Sequence, residues 1–160
     1  MAIVVEDGTI VAGANSYVTE AELTTYATAR GITLTTDTEQ LLIRAMDYVE
    51  SLEYQGLKLT EGQPLQWPRA GVVVDGYLID TDDIPELLKN VEMETAMSID
   101  NGEDPLADIG RVKNKATVGP ISVEYAAGQA TTIVRKITAQ LRKLLAGGGS
   151  NGTSFTVNRG

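Results

Sequence analysis

Apolar residues fall at helical spacing in four stretches of the chain. The clearest runs through Leu41, Leu42, Ala45, Met46, Val49 and Leu52, three and four residues apart, which is the signature of one buried stripe on an amphipathic helix. Thr36 with Glu39 reads as the capping box that opens it, while Arg44, Asp47 and Glu50 fall on the solvated side. An earlier helix begins at a second box, Thr19 with Glu22, where Val18 can staple onto Leu23 and Gly31 supplies a C′ glycine after Arg30. A third is capped by Asp83 with Pro85 in its first turn, carries Leu87, Leu88, Val91, Thr95, Ala96 and Ile99 inward, and stops near Asn101-Gly102. The last begins at Thr131 or Thr132 and has the seam Val134, Ile137, Leu141, Leu144 and Leu145.

Shorter alternating or β-prone runs lie between these helices. Residues 2–11 hold two such runs about Asp7-Gly8, a hairpin pattern. Val72 to Ile79, with Asp75-Gly76 at its centre, reads as a second hairpin or as a loop crossing the helices. Ile121, Val123 and Tyr125 alternate as a strand, after a polar connection from Glu103 to Lys115 broken by Pro105 and Gly110. The expected fold is mainly α: a single-domain helical bundle of about four helices over residues 1–146, with small β-hairpin and strand elements. A Gly-rich C-terminal tail, 147–160, follows.

Two local features stand out from that frame. The loop Gln63-Pro64-Leu65-Gln66-Trp67-Pro68-Arg69 contains the single Trp, and its prolines stiffen the backbone so that Trp67 is placed reproducibly. Trp67 then either plugs the core of its own domain or, with Arg69, forms a subunit contact. On the last helix, Arg135, Lys136, Arg142 and Lys143 recur seven residues apart, with no acidic residue from Gly128 onward. This stripe is either a solvated face or a surface for an acidic partner or passing DNA. The tail carries the only Phe, in Thr153-Ser154-Phe155-Thr156-Val157, on a spacer of roughly 13 Å average reach. Phe155 and Val157 could therefore add a strand to another subunit's sheet edge, or fold back on their own domain.

Composition narrows the chemistry. There is no Cys and no His, which removes thiol nucleophiles, disulfides, Cys/His metal sites and histidine acid–base catalysis. The acidic groups Asp80, Asp82, Asp83 and Asp100, Glu103, Asp104, Asp108 lack the spacing of a calcium loop, and no phosphate-binding loop, nucleophile elbow or dinucleotide fingerprint is present. Neither an enzyme activity nor a cofactor nor a metal is expected. The net charge of −9 repels phosphate backbones, and no apolar run approaches the ~20 residues of a membrane span. The chain reads as soluble, made in the cytosol and not membrane-bound.

The phrases ANSYVT, RAMDYVES, LQWPRAGV, DIPELLK and VGPISVEYA, in that order from about Ala14 to Ala126, resemble a family of tailed-phage head–tail connector, or adaptor, proteins. Members are often labelled DnaT-like single-stranded-DNA-binding proteins. The resemblance implies a structural virion protein at the head–tail junction, assembled in the host cytoplasm as a homo-oligomeric ring, by family a dodecamer. Its implied partners are the portal protein, the tail or next connector protein, and further copies of itself, with DNA passing through unbound. The family label implies an alternative, a single-stranded-DNA-binding module, for which a basic groove with stacking aromatics would be needed.

Overall fold

The computed structural model of the chain describes residues 2–106 and 132–147. Four helices occur among them: α1 (Glu20–Ala29), α2 (Thr38–Glu50), α3 (Glu86–Asp100) and α4 (Thr132–Leu141). Between α2 and α3 lie two small antiparallel two-stranded sheets. In one, β1 (Leu57–Lys58) pairs with β2 (Arg69–Ala70); in the other, β3 (Val73–Val74) pairs with β4 (Tyr77–Leu78). The chain is thus a mainly helical single domain, as its periodicity predicts.

Helix α3 is the central element, packing against α1, α2 and α4. Its buried set is wider than one stripe and includes Glu92, Met93, Glu94 and Met97 beside Leu88, Val91, Thr95, Ala96 and Ile99. Two apolar clusters flank it. One gathers Val18, Leu23 and Ala27 with Leu41, Leu42 and Ala45 of α2 and Met93, Ala96, Met97 and Ile99. The other surrounds Trp67 with Tyr17, Met46, Val49, Tyr54, Leu88, Val91 and the α4 seam Ile137, Leu141 and Leu144. Both run through α2 and α3, so these two helices hold the domain together.

Helix ends follow local chemistry. Thr19 and Glu22 form the expected capping box, and α1 ends in a left-handed Gly31 (φ +70°), with Gly31 N–H donating to Thr28 O and Ile32 N–H to Ala27 O. That bond pair is a Schellman motif. Helix α3 ends the same way at Gly102, through Gly102 N–H to Ile99 O and Glu103 N–H to Ser98 O.

Three local expectations need correction. The cap of α2 is Asp37, which accepts from Gln40 N–H, because Thr35 and Thr36 are taken up by the Asp100 carboxylate. Helix α3 starts after Pro85, not at Asp83, since the residue before a proline is pushed away from helical ψ and Pro85 itself is extended (ψ 132°). Residues 2–11 form no hairpin. The buried Glu6 carboxyl instead accepts from the amides of Gly8, Ile10 and Val11, each at 2.9 Å, and curls the chain around itself. Val5 then bridges Ser16 in parallel fashion. Of the two readings left open for Val72 to Ile79, hairpin or loop, the hairpin is present, with Asp75 and Gly76 both at positive φ (52° and 88°). The expected strand at 121–125 lies outside the described residues.

Candidate interaction surface

The Trp67 loop is seated from three directions. Trp67 has none of its surface exposed and meets Tyr54 edge-on, ring centroids 6.0 Å apart, across a cis Trp67–Pro68 bond. Its backbone N–H donates to Tyr17 Oη (3.1 Å), and that hydroxyl donates to Glu50 Oε1 (2.6 Å). The other Glu50 oxygen accepts the Gln66 N–H at 2.8 Å. Burial pushes the Glu50 carboxyl up, opposed by the bonds from Tyr17 and Gln66, and burial with the neighbouring Glu50 charge pushes the Tyr17 phenol up strongly.

Arg69, 7% exposed, lies beneath the loop. Its Nε donates to Gln55 O, one terminal nitrogen to Gln66 O and Oε1, and the other to Tyr54 O and Gly56 O. Gln63 completes the loop by donating to Leu65 O and Pro68 O. Trp67 therefore occupies the core of its own subunit, the first of the two sequence readings, and Arg69 serves the same loop; neither leaves surface for a partner.

The basic stripe is partly neutralised at home. Lys136 pairs with Glu94, which also takes Arg30 (3.3 Å) and the Tyr26 hydroxyl (3.2 Å), so this carboxylate ties α1 and α4 to α3. Burial alone would raise the Glu94 carboxyl, but Lys136, Tyr26 and Arg30 outweigh it and hold it below the usual range. Lys143 pairs with Asp75 at the hairpin tip (2.7 Å). Arg135 and Arg142 are exposed and have no ion-pair partner among the described residues. Helix α4 ends at Leu141, which leaves Arg142 and Lys143 on the turn after it. Phe155 and Val157 lie outside the described residues.

The surface that the sequence did not single out is apolar. Tyr77 is 78% exposed, Leu78 67% and Val73 46%, and Val73 is the direct cross-strand partner of Leu78. Leu57 on β1 is 76% exposed. Val72, Val74 and Ile79 of the segment that forms the β3–β4 hairpin pack onto the core. The segment thus divides its large side chains, Val72, Val74 and Ile79 inward and Val73, Tyr77 and Leu78 outward.

The family described as "Putative DnaT-like ssDNA binding protein" matches the chain over residues 1–160. The chain belongs to that family. Neither curated proteins nor solved structures offer a match to it. In this DnaT-like chain, the phrases that carry its resemblance converge on one network. ANSYVT contributes Ser16 and Tyr17, RAMDYVES contributes Glu50, and LQWPRAGV contributes Gln66, Trp67 and Arg69. The segment after DIPELLK contributes Glu92, whose carboxyl lies against Ser16 Oγ and accepts from Tyr17 N–H. Among the described residues, three of those phrases, ANSYVT, RAMDYVES and LQWPRAGV, thus stitch the fold together internally; VGPISVEYA lies outside the described residues.

Proposed function

We propose that the chain is a structural assembly protein, one copy of a homo-oligomeric ring that joins a phage capsid portal to the tail and lets DNA pass. The observation that carries this reading is the β3–β4 hairpin, whose large apolar side chains Val73, Tyr77 and Leu78 are left exposed. Exposed apolar surface of that kind marks a protein contact. The net charge of −9 suits a conduit that DNA crosses without adhering. A closed ring would multiply modest contacts by avidity, since later contacts with a symmetric partner are intramolecular. The junction resemblance of the sequence supplies the choice of portal and tail as partners. Light scattering coupled to size-exclusion chromatography, with the chain alone and mixed with portal complexes, tests it. A ring, or a monomer joining the portal peak in fixed stoichiometry, is expected; a monomer indifferent to portal overturns the reading.

The family description favours a second reading, a single-stranded-DNA-binding module. Tyr77 as a stacking platform and Arg135 and Arg142, which have no ion-pair partner among the described residues, are groups that could serve it. Against it, Tyr17, Tyr48, Tyr54 and Trp67 are interior. Fluorescence anisotropy of a labelled oligonucleotide across a salt series separates the two, because phosphate binding weakens steeply with salt.

A further inference from the structure

Glu92 lies mid-way along α3 with none of its surface exposed. Its Oε2 accepts the Tyr17 backbone N–H at 3.0 Å, and its Oε1 lies 2.5 Å from Ser16 Oγ. That hydroxyl has two further polar neighbours, the Val18 carbonyl at 2.7 Å and the Val18 N–H at 3.2 Å. A serine hydroxyl carries one proton and two lone pairs. The Val18 N–H occupies one lone pair. If the single proton points to Val18 O, the contact with Glu92 requires a proton from the carboxyl. If it points to Glu92, Ser16 Oγ and Val18 O are left 2.7 Å apart with no hydrogen between them. Only a neutral carboxyl satisfies all three contacts.

We propose that Glu92 is a neutral carboxylic acid donating its proton to Ser16 Oγ, and that this proton latches the Ser16–Val18 segment onto α3. Losing the proton would put two acceptors face to face and release the segment. Its surroundings favour the neutral form. The charged groups bearing on it are Glu50 of α2 and Glu22 of α1, both acids, while the phenol of Tyr54 lies in the same cluster. The cation that α4 sends toward α3, Lys136, is engaged with Glu94. Burial pushes the Glu92 carboxyl up to about 8, opposed chiefly by its hydrogen-bond contacts with Ser16 and Tyr17. Glu50, by contrast, is approached only by donors, from Tyr17 and Gln66, and needs no proton.

The latch has reach. Val18 packs into the cluster with Leu23 at the start of α1, and Tyr17 carries the hydrogen bonds to Glu50 and the Trp67 loop. The sign follows from linkage. An unfolded Glu ionises near its ordinary 4.5 while the folded one holds its proton, so the latch's contribution is whole below that value and fades as pH rises through about 8.

Carboxyl carbon NMR of the full chain, with labelled glutamate, reads the proton directly. One resonance, absent in Glu92→Gln, should remain protonated at neutral pH and titrate near 8; its ionisation together with the other glutamates would overturn the proposal. Glu92→Gln gives an independent reading, because a glutamine can donate its amide to Ser16 Oγ and accept from Tyr17 N–H. Its urea midpoint should equal that of the wild type at about pH 4, exceed it progressively as pH rises, and hold a constant excess above about pH 8. The pH-dependent gain in hydrogen exchange at the Tyr17 amide should vanish. A variant weaker than wild type by the same margin across that range would mean that Glu92 is an ionised acceptor.

Discussion

All the nitrogens of the Arg69 guanidinium are met by oxygens of its own chain, four backbone carbonyls and the Gln66 side chain. A lysine at this position has a single ammonium and no fork, so it cannot hold Gln55, Gly56 and Gln66 at once. Arg69→Lys should therefore cost about 2–3 kcal/mol, the value of losing hydrogen bonds to a charged donor and leaving buried carbonyls unmet. Urea unfolding measures it. Unchanged stability with lost partner binding would instead return Arg69 to the subunit contact that the sequence left open. The role was illegible from sequence because four of its five partners are main-chain oxygens, which leave no residue-type signature. Glu92 was hidden for a related reason: its partners Ser16 and Tyr17 come from a segment some 75 residues away. Lys136 was visible as a cation on a stripe, but its partner Glu94 is set by the crossing of α3 and α4.

Helices were legible as elements because their apolar spacing and end chemistry agree. Leu41, Leu42, Ala45, Met46 and Val49 are buried as the α2 stripe requires, and Ile137, Leu141 and Leu144 as that of α4. The two misread ends have different causes: Asp100, a distant side chain, took up Thr35 and Thr36 before α2, and Pro85 delayed the start of α3. The β3–β4 turn was readable from Asp75-Gly76, but its exposure was not, since period-two spacing describes a strand without saying which body covers it. Because Tyr77 and Leu78 contribute little to the core, changing both to Ser should shift stability by no more than about 0.5 kcal/mol per site. The same variant should lose its joint elution with portal complexes. Retained association would move the contact elsewhere, and a large loss of stability would make the hairpin part of the core. The end of α4 supports a parallel prediction. Gln55 N–H donates to Leu144 O and Ala146 N–H to Glu53 O, so the fold is tied down up to residue 146. Deleting residues 148–160 should leave the thermal midpoint unchanged while weakening assembly; unfolding would place the tail in its own core.

At the scale of the whole molecule, charge and aromatic placement decide between the two functional readings. A single-strand binder combines a basic groove with stacking rings, each base–ring stack worth about 1–3 kcal/mol. Here the net charge is −9, and Lys136 and Lys143 are each paired with an acid of the same chain. The exposed pair Lys143–Asp75 is a weak tether, but it still cancels a charge that a phosphate would need. Of the α4 stripe, Arg135 and Arg142 remain without an ion-pair partner among the described residues, and two phosphate contacts from it would give a log–log salt slope of only about −1.4 on single strands. Oligonucleotide binding should accordingly be weak at low salt and lost by about 0.15 M, where the screening length is about 8 Å. Association through the hairpin, which is apolar, should persist or strengthen over the same series, since salts excluded from protein surfaces favour apolar burial. Arg135→Glu with Arg142→Glu sharpens the test by abolishing the residual oligonucleotide signal while sparing the portal complex. If instead that pair of changes breaks the portal complex and leaves oligonucleotide binding intact, the basic surface is the protein contact and the hairpin is not.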